Sequence, residues 1–242
     1  MATIIAIQDG STLGPGRLGA TLRDTGYRVD ARRVDRHGPD ALPKDLDNVH
    51  GLLLLGSEQD PTSELPWITR AIDLVREAHR RELPVVGLCM GCELIARALG
   101  GELEPMPAPR VGFFPVNLTV PGQTEAMLAG IPWSVPQFQS NAFRVAKAPP
   151  GATVLAASDD CPIEAFRAGV RTYAFQYHPE FDRATITALV AQRLAQLREL
   201  GLSLEAIEAQ LDSHYDRFAR AADRLCVNLT SFAFPFDRLL AV

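Results

Sequence analysis

The sequence predicts an α/β fold whose first half is a doubly wound, mostly parallel sheet, and three observations carry that prediction. Short apolar runs alternate with helical patterns through the first hundred residues, the rhythm of strand–helix–strand units. Two of those runs, "GLLLLG" (51–56) and "VVGL" (85–88), are continuously apolar, as strands covered on both faces are. From about residue 111 the texture shifts to short strands broken by Pro and Gly, and from 181 to two long helical segments.

Taken in order, "TIIAI" (3–7) reads as a buried strand and "GRLGATLRDTG" as a helix closed by Gly26. "YRVDARRV" (27–34) is a second strand, 51–56 a third and 85–88 a fourth. Between the last two, "LPWITRAIDLVREAHRRE" (65–82) places Ile68, Ile72, Val75 and His79 on one stripe at helical spacing, and Pro84 stops it. "CELIARALGG" is a helix ending on two glycines. "VGFFPVNLTV", "SVPQFQ", "ATVLAAS", "IEAFRAG" and "VRTYAFQY" then suit an antiparallel or mixed extension of the sheet. "DRATITALVAQRLAQLREL" and "SLEAIEAQLDSHYDRFARAADRLCVNL" are helical, with Gly201 between them. The expectation is one flavodoxin-like α/β domain over 1–242, with helices on both faces, an antiparallel extension and a C-terminal helical extension over about 181–242.

Bulk properties narrow the function classes. The chain has 242 residues, 47% hydrophobic, with a net charge of −5, so it carries no electrostatic footprint for nucleic acid or an anionic membrane. No apolar run reaches the ~20 residues a membrane helix needs, and "MATIIAIQDG" lacks a basic secretory n-region. Cysteines at 89, 92, 161 and 226 do not form a disulfide framework in a chain this long. A cytoplasmic protein without nucleic-acid or membrane partners is the expectation.

"GPGRLG" (14–19) matches the G-x-G-x-x-G dinucleotide pattern, and Asp35 stands at the end of the next strand like a ribose-binding acid. The first glycine should sit in the tight turn directly after strand one, but "QDGSTL" intervenes and Pro15 stiffens the turn. A flexible loop leading into a helix is the preferred reading, with nucleotide binding as its alternative.

"VVGLCMGCE" (85–93) has a different grammar. An apolar strand runs into Gly87-x-Cys89-x-Gly91 and a helix begins at once, the thiol form of a nucleophile elbow. Glycines two before and two after are what such a turn needs, since side chains there would meet neighbouring backbone. The turn lifts Cys89 clear of the sheet and sets it at a helix N-terminus, where the dipole favours thiolate. The Met90 N–H then supplies half of an oxyanion hole, and Gly56 or Ser57, directly after the third strand, the other half. A thiol nucleophile needs an oriented base. In "QYHPE", His178 and Glu180 project to one side at strand period two, so Glu180 can hold one imidazole nitrogen while the other faces Cys89.

"GLCMGCELIA" together with "FQYHPE" resembles the class I glutamine amidotransferases, whose motifs run G-[IV]-C-x-G-x-Q and [QR]-F-H-P-E. The resemblance extends over most of the chain, and the protein looks like the stand-alone, GMP-synthase-like members. It implies Cys89 as nucleophile, His178 as base and later acid, and Glu180 as orienting carboxylate. The substrate is then the side-chain amide of glutamine or a relative, cleaved through a γ-glutamyl thioester with release of ammonia and no cofactor or metal. No synthetase module follows and no P-loop is present, so an ammonia acceptor would be a separate synthetase, or the ammonia is simply released. The apolar faces of the C-terminal helices pack on the sheet, with part available for a homodimer or partner contact.

Three departures bear on the substrate pocket. Glu93 stands where the family has Gln, Ser57 where it has a second glycine, and Ser140-Asn141 in "FQSNAF" where a His-Gly-Asp-like segment is usual. Glu93 either selects an amine-bearing substrate or faces helix packing; the first is preferred, which makes another γ-glutamyl or carboxamide substrate the alternative to glutamine. A catalytically silent binding protein and a thiol-redox protein using Cys89 and Cys92 are the remaining alternatives. Cys92, Cys161 and Cys226 read as buried bystanders, and His37, His50, His79 and His214 lack an acidic partner at instructive spacing.

Overall fold

The structure, a computed structural model, describes residues 2–234. Its elements are β1 (Thr3–Gln8), α1 (Gly16–Asp24), β2 (Arg28–Arg33), a short α2 (Val34–His37), β3 (Gly51–Leu54), α3 (Pro66–Arg80), β4 (Val85–Leu88) and α4 (Met90–Ala98). They continue with β5 (Glu102–Leu118), a short α5 (Val120–Thr124), β6 (Ser134–Lys147), β7 (Thr153–Ala157), β8 (Ala165–Ala168) and β9 (Thr172–Phe175). The helices α6 (Arg183–Gln192), α7 (Leu194–Glu199) and α8 (Leu204–Asn228) follow. The nine strands form one mixed sheet in the order β2-β1-β3-β4-β9-β8-β7-β5-β6. β2, β1, β3, β4 and β9 run parallel, and the remaining ladders are antiparallel.

Strand alternation divides the core between the two faces of the sheet. Ile4 and Ala6 of β1 join Leu18 and Leu22 of α1 and Leu225 of α8. Ile5 and Ile7 join Ile68, Ile72 and Val75 of α3 and Ile95 of α4. Leu52 and Leu54 likewise face the second cluster, and Leu53 the first. This is why "GLLLL" has no polar face to show. His79, on the same stripe of α3, instead meets the Thr172 hydroxyl at 2.9 Å. A third cluster, built on Phe113 and Phe138, receives Ile186 and Leu189 of α6 and Leu211 and Phe218 of α8, which fixes the C-terminal helices against β5 and β6.

Four expectations change. β5 and β6 are far longer than "VGFFPVNLTV" and "SVPQFQ" and pair over most of their length, with the register slipping between Pro105 and Arg110. Proline cannot donate to a ladder, so the prolines hide a strand pair that tolerates them at an irregular edge. β9 ends at Phe175, so residues 176–180 form a turn instead of continuing the strand. The helical run 182–200 breaks at Arg193 into α6 and α7. The loop before α1 is no flexible connector: Gly16 opens α1 at φ +42 with its Cα packed on the Glu180 backbone, where a Cβ would lie 2.0 Å from the Glu180 oxygen.

The elbow after β4 explains its own glycines. Cys89 sits at φ +53, ψ −117, a conformation that non-glycine residues rarely adopt. A Cβ on Gly87 would lie 2.4 Å from the Gly91 carbonyl oxygen, and one on Gly91 would lie 2.2 Å from that of Leu54. Both obstacles are backbone, so neither can rotate away. Gly91→Ala is therefore expected to destabilise the fold by about 3 kcal/mol or more. Gly151→Ala, at φ +74 with nothing within 4 Å, carries only the left-handed strain of about 1–2 kcal/mol. Denaturant melts of the two variants side by side check the difference.

Candidate active site

β3, β4 and β9 are neighbours running the same way, so their carboxyl ends open onto one edge, where α/β sheets bind ligands. Each delivers one part of the site: Gly56 follows β3, Cys89 follows β4 and His178 follows β9. The Cys89 N–H donates to the Phe175 carbonyl at 2.8 Å, closing the elbow against β9. His178 Nδ1 lies 2.8 Å from Glu180 Oε1, with both residues almost wholly buried. Strand period two does not set this contact. The turn does: His178 N–H donates to Phe138 of β6 at 3.0 Å, and the imidazole stacks on Phe181 with centroids 4.2 Å apart and planes 10° apart.

Burial alone would lower the His178 pKa. The charges of Cys89 and Glu180, and hydrogen bonds to both, outweigh it and push the value up to about 10. The ring is thus held between sulfur and carboxylate, and both favour its protonated form. Gly56 stands against this pair, since a Cβ there would lie 3.0 Å from His178 Cε1 and 3.8 Å from Cys89 Sγ.

A cavity of about 310 Å³ is lined by Cys89, Met90 and Glu93 of the elbow and α4, by Ser57, and by Ser140 and Asn141 of β6. Its size suits a small ligand. The Ser57 hydroxyl turns toward Asp9, donating at 2.5 Å, so the side chain that replaces a glycine is drawn toward the end of β1. The Ser140 carbonyl oxygen lies 3.7 Å from Cys89 Sγ. Asn141 donates from Nδ2 to the Phe143 carbonyl at 3.3 Å, and its buried Oδ1 has no partner among the described residues. Glu93 is buried and accepts from Gln176 Nε2 at 2.7 Å. Desolvation raises its pKa to about 7, against the opposing hydrogen bond from Gln176 and the charge of His178.

Comparison with known proteins places this architecture. The family model described as Glutamine amidotransferase class-I matches residues 17–197. The chain belongs to the class-I glutamine amidotransferase family. Among its relatives, the glutamine amidotransferase-like protein YfeJ of Salmonella typhimurium is 29% identical over 73% of this chain and 74% of that protein. Gamma-glutamyl peptidase 3 of Arabidopsis thaliana is 26% identical over 71% and 70%. A GMP synthase of Porphyromonas gingivalis is 31% identical over 57% of this chain but only 26% of its own length. The crystal structure of a glutamine amidotransferase from Thermotoga maritima superposes with a TM-score of 0.84 at 18% identity, covering 97% of this chain and 98% of that one. The fold is thus that of the family.

Two contributors to this candidate site escape a motif search. Arg193, at the break between α6 and α7, also lines the cavity. The "GPGRLG" segment holds the turn that carries Glu180: Arg17 N–H donates to the Glu180 carbonyl at 2.9 Å and Arg17 Nε to that of Phe181 at 3.1 Å. Asp35 is engaged by Arg33 through two hydrogen bonds of 2.7 and 2.6 Å, which hold its carboxyl at about 2. Cys92, on the buried face of α4, packs in the core, its thiol pushed well up by desolvation, and Cys161 and Cys226 are buried and free. Among the described residues no His, Cys, Asp and Glu group is arranged to hold a metal ion, and no helix is long and apolar enough to cross a membrane.

Proposed function

We propose that the protein is a cysteine-dependent amide hydrolase that cleaves the side-chain amide of glutamine or of a closely related γ-glutamyl compound. The observation that carries this is His178, buried and held by hydrogen bonds to Cys89 and to Glu180, with Cys89 lining a ligand-sized cavity. In this reading His178 holds the proton and Cys89 attacks as the thiolate. The sulfur bonds to the amide carbon, and the carbonyl oxygen becomes an oxyanion received by the backbone N–H groups of Met90 and of Gly56 or Ser57. Protonated His178 gives its proton to the leaving nitrogen as the C–N bond breaks, releasing ammonia and leaving a γ-glutamyl thioester. Water then attacks the thioester, His178 takes its proton, and the acid leaves with the thiolate restored. Glu180 keeps the imidazole in register through both halves. Backbone donors and this one imidazole suffice for the cycle without a cofactor.

The alternative substrate, a γ-glutamyl peptide bond, draws on Glu93 in place of the family Gln and on the relative named gamma-glutamyl peptidase. Ammonia released here would serve a separate synthetase, in line with the GMP synthase relatives. One experiment tests the reading. An electrophilic glutamine analogue is expected to modify Cys89 alone, located by peptide mass spectrometry, and ammonia release is expected from L-glutamine or γ-glutamyl amides. Labelling at Cys92, or loss of turnover in Cys92→Ser with retention in Cys89→Ser, would return the pair to redox chemistry.

A further inference from the structure

Resting on that hydrolase reading, we infer that Arg193, delivered by the break between α6 and α7, is the anchor for a free carboxylate on the substrate, with Glu58 holding its place until substrate arrives.

Two arginines line the cavity, Arg110 and Arg193, and their situations differ. Arg110 is committed. Its Nη1 donates to Gln139 Oε1 at 3.0 Å and to the wholly buried Glu164 at 2.9 Å, and its Nη2 to Ser158 Oγ at 3.2 Å. Its guanidinium also stacks over Phe114 at 4.9 Å. Displacing it would strand a buried carboxylate, which is strongly unfavourable.

Arg193 is held on one side only by something it can exchange. Its Nε and Nη2 both donate to Glu58 Oε1, at 3.0 and 2.8 Å. The Arg193 side chain is 12% exposed, but Glu58 is 65% exposed. Glu58 can therefore return to water with little loss, since exposed ion pairs are weak, and leave a sheltered planar fork shaped for a carboxylate. The remaining nitrogen, Nη1, is pinned to the Ser140 hydroxyl. That contact fixes the distance to the chemistry, because the carbonyl of the same Ser140 lies 3.7 Å from Cys89 Sγ. The guanidinium thus stands one residue away from the sulfur. In a γ-glutamyl group the α-carboxyl carbon lies four bonds from the amide carbon, a reach of that order.

The α-amino group has counterparts in the same cavity. Asn141 Oδ1 is buried and without a partner among the described residues, and the Glu93 carboxylate lies in the lining. An exchangeable cation with acceptors nearby is the complement of a free amino-acid head group. The substrate class is accordingly a γ-amide with an unblocked α-carboxylate, as opposed to a simple carboxamide.

Binding to the full chain carrying Cys89→Ala, which cannot turn over, tests this by calorimetry. The probes are L-glutamine and γ-L-glutamylanilide, each against its α-amide, in which the carboxylate is neutral. Adding Arg193→Gln is expected to weaken the carboxylate forms at least tenfold and to leave the α-amides within about twofold. Adding Glu58→Gln is expected to tighten the carboxylate forms several-fold by removing the competitor, an effect of opposite sign that a merely structural role for Arg193 would not produce. Equal affinity for both forms, equal loss of both with Arg193→Gln, or no binding of either form overturns the assignment. The pattern appearing without any amide turnover by the wild type would leave the carboxylate site standing and sink the hydrolase reading. Turnover of L-glutamine and its α-amide alike, unaffected by Arg193→Gln, would do the reverse.

Discussion

Cys89→Ala is expected to lower amide turnover on the order of 10⁵-fold, and adding His178→Ala to lower it hardly further. The reason lies in the geometry. His178 has Nδ1 against Glu180 at 2.8 Å and a hydrogen bond to Cys89 as well, so in the proposed reaction sulfur and imidazole act as one proton-transferring unit. Once either is gone the other has nothing to act on, and what survives is substrate positioning by the cavity and the backbone donors. Glu180→Gln keeps the shape of the unit but removes the charge that orients the imidazolium, so a smaller loss, on the order of 10³ to 10⁴-fold, is expected. Steady-state ammonia release on the single and double variants measures all of these. Fully additive losses would show that the three residues do not act together. Cys89→Gly separates the chemistry from the strain. At φ +53, ψ −117 a cysteine side chain is unfavourable by about 1–3 kcal/mol, so the glycine variant is expected to be inactive and more stable than the wild type by about 1 kcal/mol.

The elbow was legible in the sequence because its requirements are local. Gly87 and Gly91 are dictated by backbone two residues from Cys89 and by the adjacent strand, and no other residue type fits there. The parallel half of the sheet was legible for a related reason: residues such as Leu52 to Leu54, buried on both faces, admit only one reading. What stayed hidden depends on distant partners. The glycines of "GPGRLG" match a phosphate loop, but what Gly16 accommodates is the Glu180 carbonyl, more than 160 positions away. The turn that joins His178 to Glu180 is set by a hydrogen bond to Phe138 in another strand, which strand periodicity could not reveal. Arg193 reaches the cavity only because the helical run 182–200 breaks there, and neither Gly nor Pro in "ALVAQRLAQL" marks the break. Ser140 and Asn141, read as a departure from the family's pocket segment, lie within β6, whose length the prolines had concealed.

Glu93→Gln is expected to stabilise the protein by an amount that depends on pH, and the sign follows from burial. In the unfolded chain this carboxyl titrates near its ordinary value of 4.5; in the folded protein, desolvation holds the proton until about pH 7. Below 4.5 both states are protonated and Glu93 carries no ionisation penalty. Between 4.5 and about 7 the unfolded state releases its proton first, so stability falls as pH rises. Above 7 the folded protein carries a buried anion, and the accumulated loss is about 3 kcal/mol. Glutamine preserves the shape and still accepts from Gln176 Nε2, the partner Glu93 has at 2.7 Å, but never ionises. The stability difference between variant and wild type should therefore be small at pH 4.5 and grow to about 3 kcal/mol by pH 8, read from urea melts across that range. A difference independent of pH would mean that Glu93 is not desolvated. The same titration bears on substrate choice. Below about pH 7 the neutral carboxyl can donate a hydrogen bond as the family's glutamine does, whereas above it the anion accepts only. The ratio of amine-bearing to amine-blocked γ-glutamyl substrate turnover is therefore expected to rise through pH 7 in the wild type and to stay flat in Glu93→Gln.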